Sequence, residues 1–162
     1  MTIETIFQQL LTEHIGILRK VSRLYADSPA DLEDLMQEIA YQLWKAFPSF
    51  RRDSKTGTWV YRVALNTAIG RIRKRRPLIS YRALVPEQSE PAEDDDSPMQ
   101  RLFAAIRQLP KTDRALIALF FEDLSHDEIG RILGITENNV GVRLHRIKAK
   151  LKTILKQDQH GL

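Results

Sequence analysis

The chain has 162 residues, 25 basic and 21 acidic side chains for a net charge of +4, and no cysteine. Without cysteine, disulfides and thiolate zinc sites are excluded, and the composition suits a reducing compartment. No stretch approaches the roughly 20 apolar residues of a membrane span, and the N-terminus reads as an amphipathic helix rather than a signal peptide. A cytoplasmic protein with no membrane insertion is expected.

Charge is segregated along the chain. Residues 1–79 carry net +5, residues 80–98 net −5, and residues 99–162 net +4. This predicts an all-α protein in which two small helical domains, 1–79 and 99–162, flank a flexible acidic linker, 80–98.

In chain order, Ile3, Ile6, Phe7, Leu10, Leu11, Ile17, Leu18, Val21 and Leu24 recur at helical spacing and predict one long first helix. Ser28-Pro29 opens a second, with Ser as the cap and Pro in the first turn. Its apolar residues are Leu32, Leu35, Met36, Ile39, Leu43 and Phe47, and Pro48 ends it. The basic loop Ser49–Gly57 leads into a third helix, expected from about Thr58 to Arg75, with Val60, Val63, Ala64, Ala68 and Ile72 facing inward. Between Ser80 and Pro98 the periodicity stops, and Pro86, Pro91 and Glu93–Asp96 cannot build a core. Fully extended, this linker would reach about 65 Å. Ser97-Pro98 starts another helix (Leu102, Phe103, Ile106, Leu109), Pro110 breaks it, and Leu116 to Phe121 supply the next.

The segment Ser125–Leu151 then reads as a helix-turn-helix. Ser125 with Glu128 forms a capping box, Gly134 suits a helix C-terminus, and Thr136 can cap the following helix. There Val140, Leu144, Ile147, Leu151 and Leu155 make a buried face. Opposite lie Glu137, Asn138, Asn139, Val142, Arg143, Arg146, Lys148, Lys150 and Lys152. Arg can bond a guanine edge bidentately, Asn an adenine edge, and Lys a phosphate. An ordinary helical hairpin with a solvated basic face would show the same charges; the Asn/Arg mixture at the start of the second helix favours DNA.

A second cluster surrounds the third helix. Phe50, Arg51, Arg52 and Lys55 precede Trp59 and Tyr61; Arg62, Asn66, Arg71 and the run Arg73–Arg76 follow. Aromatic rings stack on bases and cations track the backbone, as single-stranded nucleic acid requires. A core role for Trp59 is equally compatible with its position. On the second helix Asp31, Glu33, Asp34 and Glu38, beside Gln37, are either a solvated face or a docking surface for a basic protein. No phosphate loop, HExxH motif or clustered histidines occur, so neither an enzyme nor a cofactor is expected.

Four segments in order resemble the extracytoplasmic-function (group 4) sigma factors of the sigma-70 family. Asp31–Ile39 with Leu43-Trp44 is similar to the family's DAEDLxQExFLRLW, and Thr58–Asn66 to TWLYRIARN. Leu109-Pro110, Leu124–Ile129 and Leu133–Ile135 resemble LP…LSYEEIAEILGI, and Val140 to Leu151 resembles VKSRLHRARAKL. The resemblance implies a sigma2-like and a sigma4-like domain in a factor that binds core RNA polymerase, recognises two promoter elements and promotes DNA opening. It implies that Asp31, Asp34, Gln37 and Glu38 meet the β′ clamp helices. Phe50, Arg51, Arg52, Lys55, Trp59, Arg62, Asn66 and Arg73 would serve the −10 element. Glu137, Asn138, Asn139, Val142, Arg143, Arg146 and Lys150 would read the −35 element beside the β flap. It further implies an anti-sigma protein as a candidate partner. Gly57, Gly70 and Gly141-Val142 depart from the family pattern, the last replacing a frequent Lys-Ser. An unusual −35 preference is therefore expected.

Overall fold

The computed structural model describes the backbone of residues 1–51, 55–82 and 97–160, and their side chains except at 73, 75–82 and 159–160. All regular structure among the described residues is helical, and the chain forms two compact units that divide between Ala92 and Glu93. Most of the expected acidic linker, residues 83–96, lies outside the described residues, as does Arg52.

The first unit contains α1 (Ile3–Glu13), α2 (Ile15–Tyr25), α3 (Pro29–Ala46) and α4 (Thr56–Arg82). The single long first helix expected from the periodicity is in fact two. His14 leaves helical geometry (φ −112°, ψ 13°), and Gly16 beside it weakens helix propensity. The break lets the two halves serve different neighbours. Phe7 of α1 packs edge-on against Trp44 and Phe47, with ring centroids 5.0 and 5.5 Å away. Meanwhile α2 sends Leu18, Val21, Leu24 and Tyr25 into the core.

Helix α3 starts as its sequence dictates: Ser28 Oγ accepts the Asp31 N–H at 3.1 Å, with Pro29 in the first turn. It ends in a 3-10 turn, Phe47–Ser49, built on Pro48. Helix α4 is longer than expected at both ends, reaching Arg82 through Pro77. Proline removes one backbone donor there, but no glycine between 76 and 82 offers a left-handed cap to stop the helix. Val60, Ala64 and Ala68 are buried as expected, and Tyr61 and Leu65 are buried as well. The second stripe arises because α4 packs on both α2 and α3. Tyr61, 5% exposed, is therefore withdrawn from base stacking.

The second unit contains α5 (Pro98–Arg107), α6 (Lys111–Phe121), α7 (His126–Leu133) and α8 (Glu137–His160). Ser97 caps α5 by accepting the Gln100 N–H. Helix α8 is the keel, packing on α5, α6 and α7. Its Val140, Leu144, Ile147 and Leu151 meet Ile106, Leu109, Leu116, Leu119 and Ile129 in one buried core, while Leu155 is half-buried. Burying a Leu or Ile side chain contributes about 1.5–3 kcal/mol. This core therefore fixes which face of α8 points outward.

Candidate nucleic-acid interface

The turn between α7 and α8 sets the geometry. Ser125 Oγ accepts the Glu128 N–H at 3.1 Å, which starts α7. Gly134 takes the left-handed conformation (φ 73°) that ends it, a region open to glycine at no steric cost. The N–H groups of Gly134 and Ile135 both donate to the Gly130 carbonyl, at 2.8 and 3.0 Å. Thr136 Oγ1 then accepts the Asn139 N–H at 3.2 Å, starting α8. All three capping residues were legible in the sequence. Gly130 was not: a Cβ there would lie 2.6 Å from the Ile135 carbonyl oxygen, so α7 and the turn touch backbone to backbone.

With one side of α8 buried, its outer face presents Glu137, Asn138, Val142, Arg146 and Lys150, all exposed; Val142 is 45% exposed despite being apolar. Most of the sequence-predicted residues line three adjoining grooves that share Glu137 and Arg146. Glu137, Asn138, Val142 and Arg146 line an open groove together with His126, Gly141 and His145. Asn139 is half-buried and lines a separate groove with Asp127, Arg131 and Thr136. Arg143 is also half-buried and, with Arg146, faces Pro110, Thr112 and Asp113 at the start of α6. Lys148 is exposed, but its ammonium stands over the Phe120 ring, 4.2 Å from the centroid. Neither histidine was singled out from the sequence. His145 is seven residues from Asn138 and so shares its face, whereas the place of His126 depends on the turn.

The first unit carries the second cluster. Phe50 and Trp59 stack with centroids 4.4 Å apart and planes tilted 33°. Trp59 is half-buried, while Arg51 and Lys55 are exposed beside it. Arg62 and Asn66 follow at helical spacing on the same side of α4 and are exposed. Gly57 sits over the α1–α2 break, where a Cβ would make ordinary contacts of 3.9 Å with His14 and Ile17. The side chain of Arg73 lies outside those described. Arg71 points inward rather than along the surface. Its guanidinium pairs with the Asp31 carboxylate at 2.9 Å, and the two side chains are 18% and 15% exposed.

That pair divides the acidic residues of α3. Asp31 is engaged inside the unit, its carboxylate also accepting the Asp27 N–H at 3.0 Å. Asp34, Gln37 and Glu38 are exposed. Beyond them Tyr41 and Trp44, 55% and 39% exposed, carry the same face on as aromatic surface. Among the described residues no group of three or more His, Cys, Asp or Glu could hold a metal ion, and no helix is long and apolar enough to cross a membrane.

Comparison with known proteins matches both units. The model for sigma-70 region 2 matches residues 10–77, and that for sigma-70 region 4 matches residues 99–151. The RNA polymerase sigma factor SigW of Bacillus subtilis is 31% identical over 145 residues, covering 78% of this chain and 76% of SigW. SigM of Mycobacterium tuberculosis is 26% identical over 153 residues, covering 92% of this chain and 76% of SigM. Two solved structures share the fold. One is the sigma factor RpoE in complex with the anti-sigma factor NepR from Bartonella quintana, with a TM-score of 0.77 at 23% identity, covering 93% of this chain and 96% of that one. The other is CnrH in complex with the cytosolic domain of CnrY, with a TM-score of 0.69 at 24% identity, covering 96% and 90%. A helix-turn-helix with a polar outer face, preceded by a helical unit whose aromatic and basic residues gather at one end of α4, fits these matches region by region: the chain belongs to the extracytoplasmic-function RNA polymerase sigma factors of the sigma-70 family.

Proposed function

We propose that the chain is the promoter-specificity subunit of RNA polymerase, non-catalytic and cytoplasmic, with its residues divided as follows. Residues 1–79 bind core polymerase and the −10 element, 80–98 tether, and 99–162 read the −35 duplex. The observation that carries this is the outer face of α8, where Asn138, Val142 and Arg146 stand exposed at helical spacing. Asn and Arg supply the donor and acceptor pairs that distinguish bases in the major groove, and an exposed Val suits a thymine methyl. Arg143, which lines a groove with Thr112 and Asp113, would take a phosphate. Asp34, Gln37 and Glu38 on α3 offer the clamp helices an acidic surface that would repel DNA. Because RpoE and CnrH are solved in complexes with NepR and CnrY, an anti-sigma protein is a reasonable partner for the same surfaces.

Run-off transcription with purified core polymerase tests the reading; a chain that neither co-purifies with the core nor directs initiation refutes it. Within that assay, Arg146→Ala should weaken −35 recognition by about 1–3 kcal/mol. A footprint over the −35 element unchanged by Arg143→Ala and Arg146→Ala together would remove α8 from base reading. Trp59→Ala should slow open-complex formation while leaving duplex −35 binding intact, since its ring and that of Phe50 form the aromatic end of α4. Equal loss of both activities would make Trp59 a packing residue only.

A further inference from the structure

The lack of a side chain at position 141 is the feature least accounted for by the recognition helix itself. Glycine in a helix interior costs about 1 kcal/mol relative to alanine, yet it lies on the groove-lining side of α8. The space above it is filled from another helix. A Cβ built on Gly141 would meet His126 Nδ1 at 3.6 Å and Cε1 at 3.7 Å. The imidazole of α7 thus lies within van der Waals reach of the α8 backbone at 141, where the glycine leaves it uncrowded. His126 is exposed and shares the groove with Asn138, Val142, His145 and Arg146.

We propose that His126 is a specificity-determining residue: it reads a purine edge in the −35 element from its seat beside Gly141. This rests on α8 being the −35 reader. An imidazole offers a ring N–H donor, and purine N7, with O6 in guanine, accepts in the major groove. The ring is seated next to Asn138 and Val142, the centre of the outward face, rather than beside Arg143 and Thr112 at its flank. A base edge that met Asn138 and Val142 would therefore meet His126 as well. The recognition surface is assembled from two helices, which meet at Gly141.

The test is selection of initiating promoters from a library randomised across the −35 element, using holoenzyme assembled from core polymerase and the full chain. His126→Ala should flatten the preference at one base pair by about 5- to 100-fold and leave the other positions and the salt dependence unchanged. Gly141→Leu, which displaces the ring while favouring the helix, should flatten the same base pair. A uniform loss across all sequences, with the salt slope shallower by about one, would make His126 a phosphate contact and overturn the proposal. So would an unchanged profile in either variant. Arg146→Ala run in parallel separates the two levels. If it alters the profile and His126→Ala does not, only the role of His126 falls; if neither does, α8 is not the reader.

Discussion

Replacing Gly130 by alanine will destabilise the second unit by about 1–2 kcal/mol, although alanine is the better helix former. Taken alone, Gly→Ala inside α7 should gain about 1 kcal/mol from propensity. The added methyl would sit 2.6 Å from the Ile135 carbonyl oxygen and 3.5 Å from the Thr136 carbonyl carbon. These are backbone atoms, so no side chain can swing aside, and overpacking of this kind typically costs about 1–3 kcal/mol or more. The same movement would strain the two hydrogen bonds that Gly134 and Ile135 donate to the Gly130 carbonyl. Relief can come only by opening the turn, which re-aims the first residues of α8. Two readouts should therefore move together. Thermal unfolding of the second unit should fall in temperature, and −35 binding should weaken although no proposed contact residue has changed. A variant that melts with the parent protein and binds as tightly would mean that the turn can give way freely. Gly141→Ala is the control for the unfolding readout alone, because its Cβ would meet only the His126 ring, at ordinary van der Waals distance.

Gly130 and Gly134 mark the limit of what the chain discloses about itself. Gly134 is legible because it ends a periodic segment, where glycine meets a local need for positive φ. Gly130 has a helical backbone and answers a tertiary need, the close approach of a turn five residues away, which periodicity does not encode. The same division runs through the molecule. Ser28, Ser97, Ser125 and Thr136 each cap the helix expected of them, because a cap is satisfied within three residues. The break at His14 was hidden because the apolar spacing continues across it, although the two halves turn toward different neighbours. Helix α4 conceals its second buried stripe for a related reason. A helix packed on two sides has no single inward face, so Tyr61 reads as an exposed aromatic when it is core.

The site was legible to a similar depth. The outer face of α8 follows from its buried one, so Asn138, Val142 and Arg146 are exposed on the side that the sequence assigns to them. Arg143 and Asn139 are half-buried toward other grooves, which spacing along one helix could not reveal. Lys148 is captured by Phe120, a contact between α8 and α6 that neither helix announces. The acidic face of α3 shows the strongest contrast. Asp31 and Asp34 look equivalent in sequence, being three residues apart on one helix, but Asp31 has a partner 40 residues away in Arg71.

That difference gives the second large effect: Asp31→Ala should cost about 2–3 kcal/mol of stability, whereas Asp34→Ala should cost little. The Asp31 carboxylate acts in three ways at the start of α3. It pairs with Arg71 at 2.9 Å, accepts the Asp27 N–H at 3.0 Å, and places negative charge in the first turn of the helix. The last is favourable because the N-terminal end carries partial positive charge. Removing one partner of a fully buried pair costs about 3–5 kcal/mol, mainly by leaving the other charge uncompensated. Both side chains keep some contact with solvent, which lowers the figure. Arg71 also donates from Nη1 to the Asp31 carbonyl at 3.4 Å, so it would keep one weak attachment to α3. The bridge joins the helix proposed to dock on polymerase to the helix proposed to hold the −10 element, and its loss should loosen their packing. If Asp31 were primarily a polymerase contact, Asp31→Ala would reduce holoenzyme assembly without changing thermal stability. If it is primarily a clamp, stability falls first, and Arg71→Ala produces a comparable loss with the acidic surface of Asp34, Gln37 and Glu38 intact. A double mutant, Asp31→Ala with Arg71→Ala, distinguishes the cases: for a clamp its cost should be well below the sum of the single losses, and for two independent contacts the losses should add.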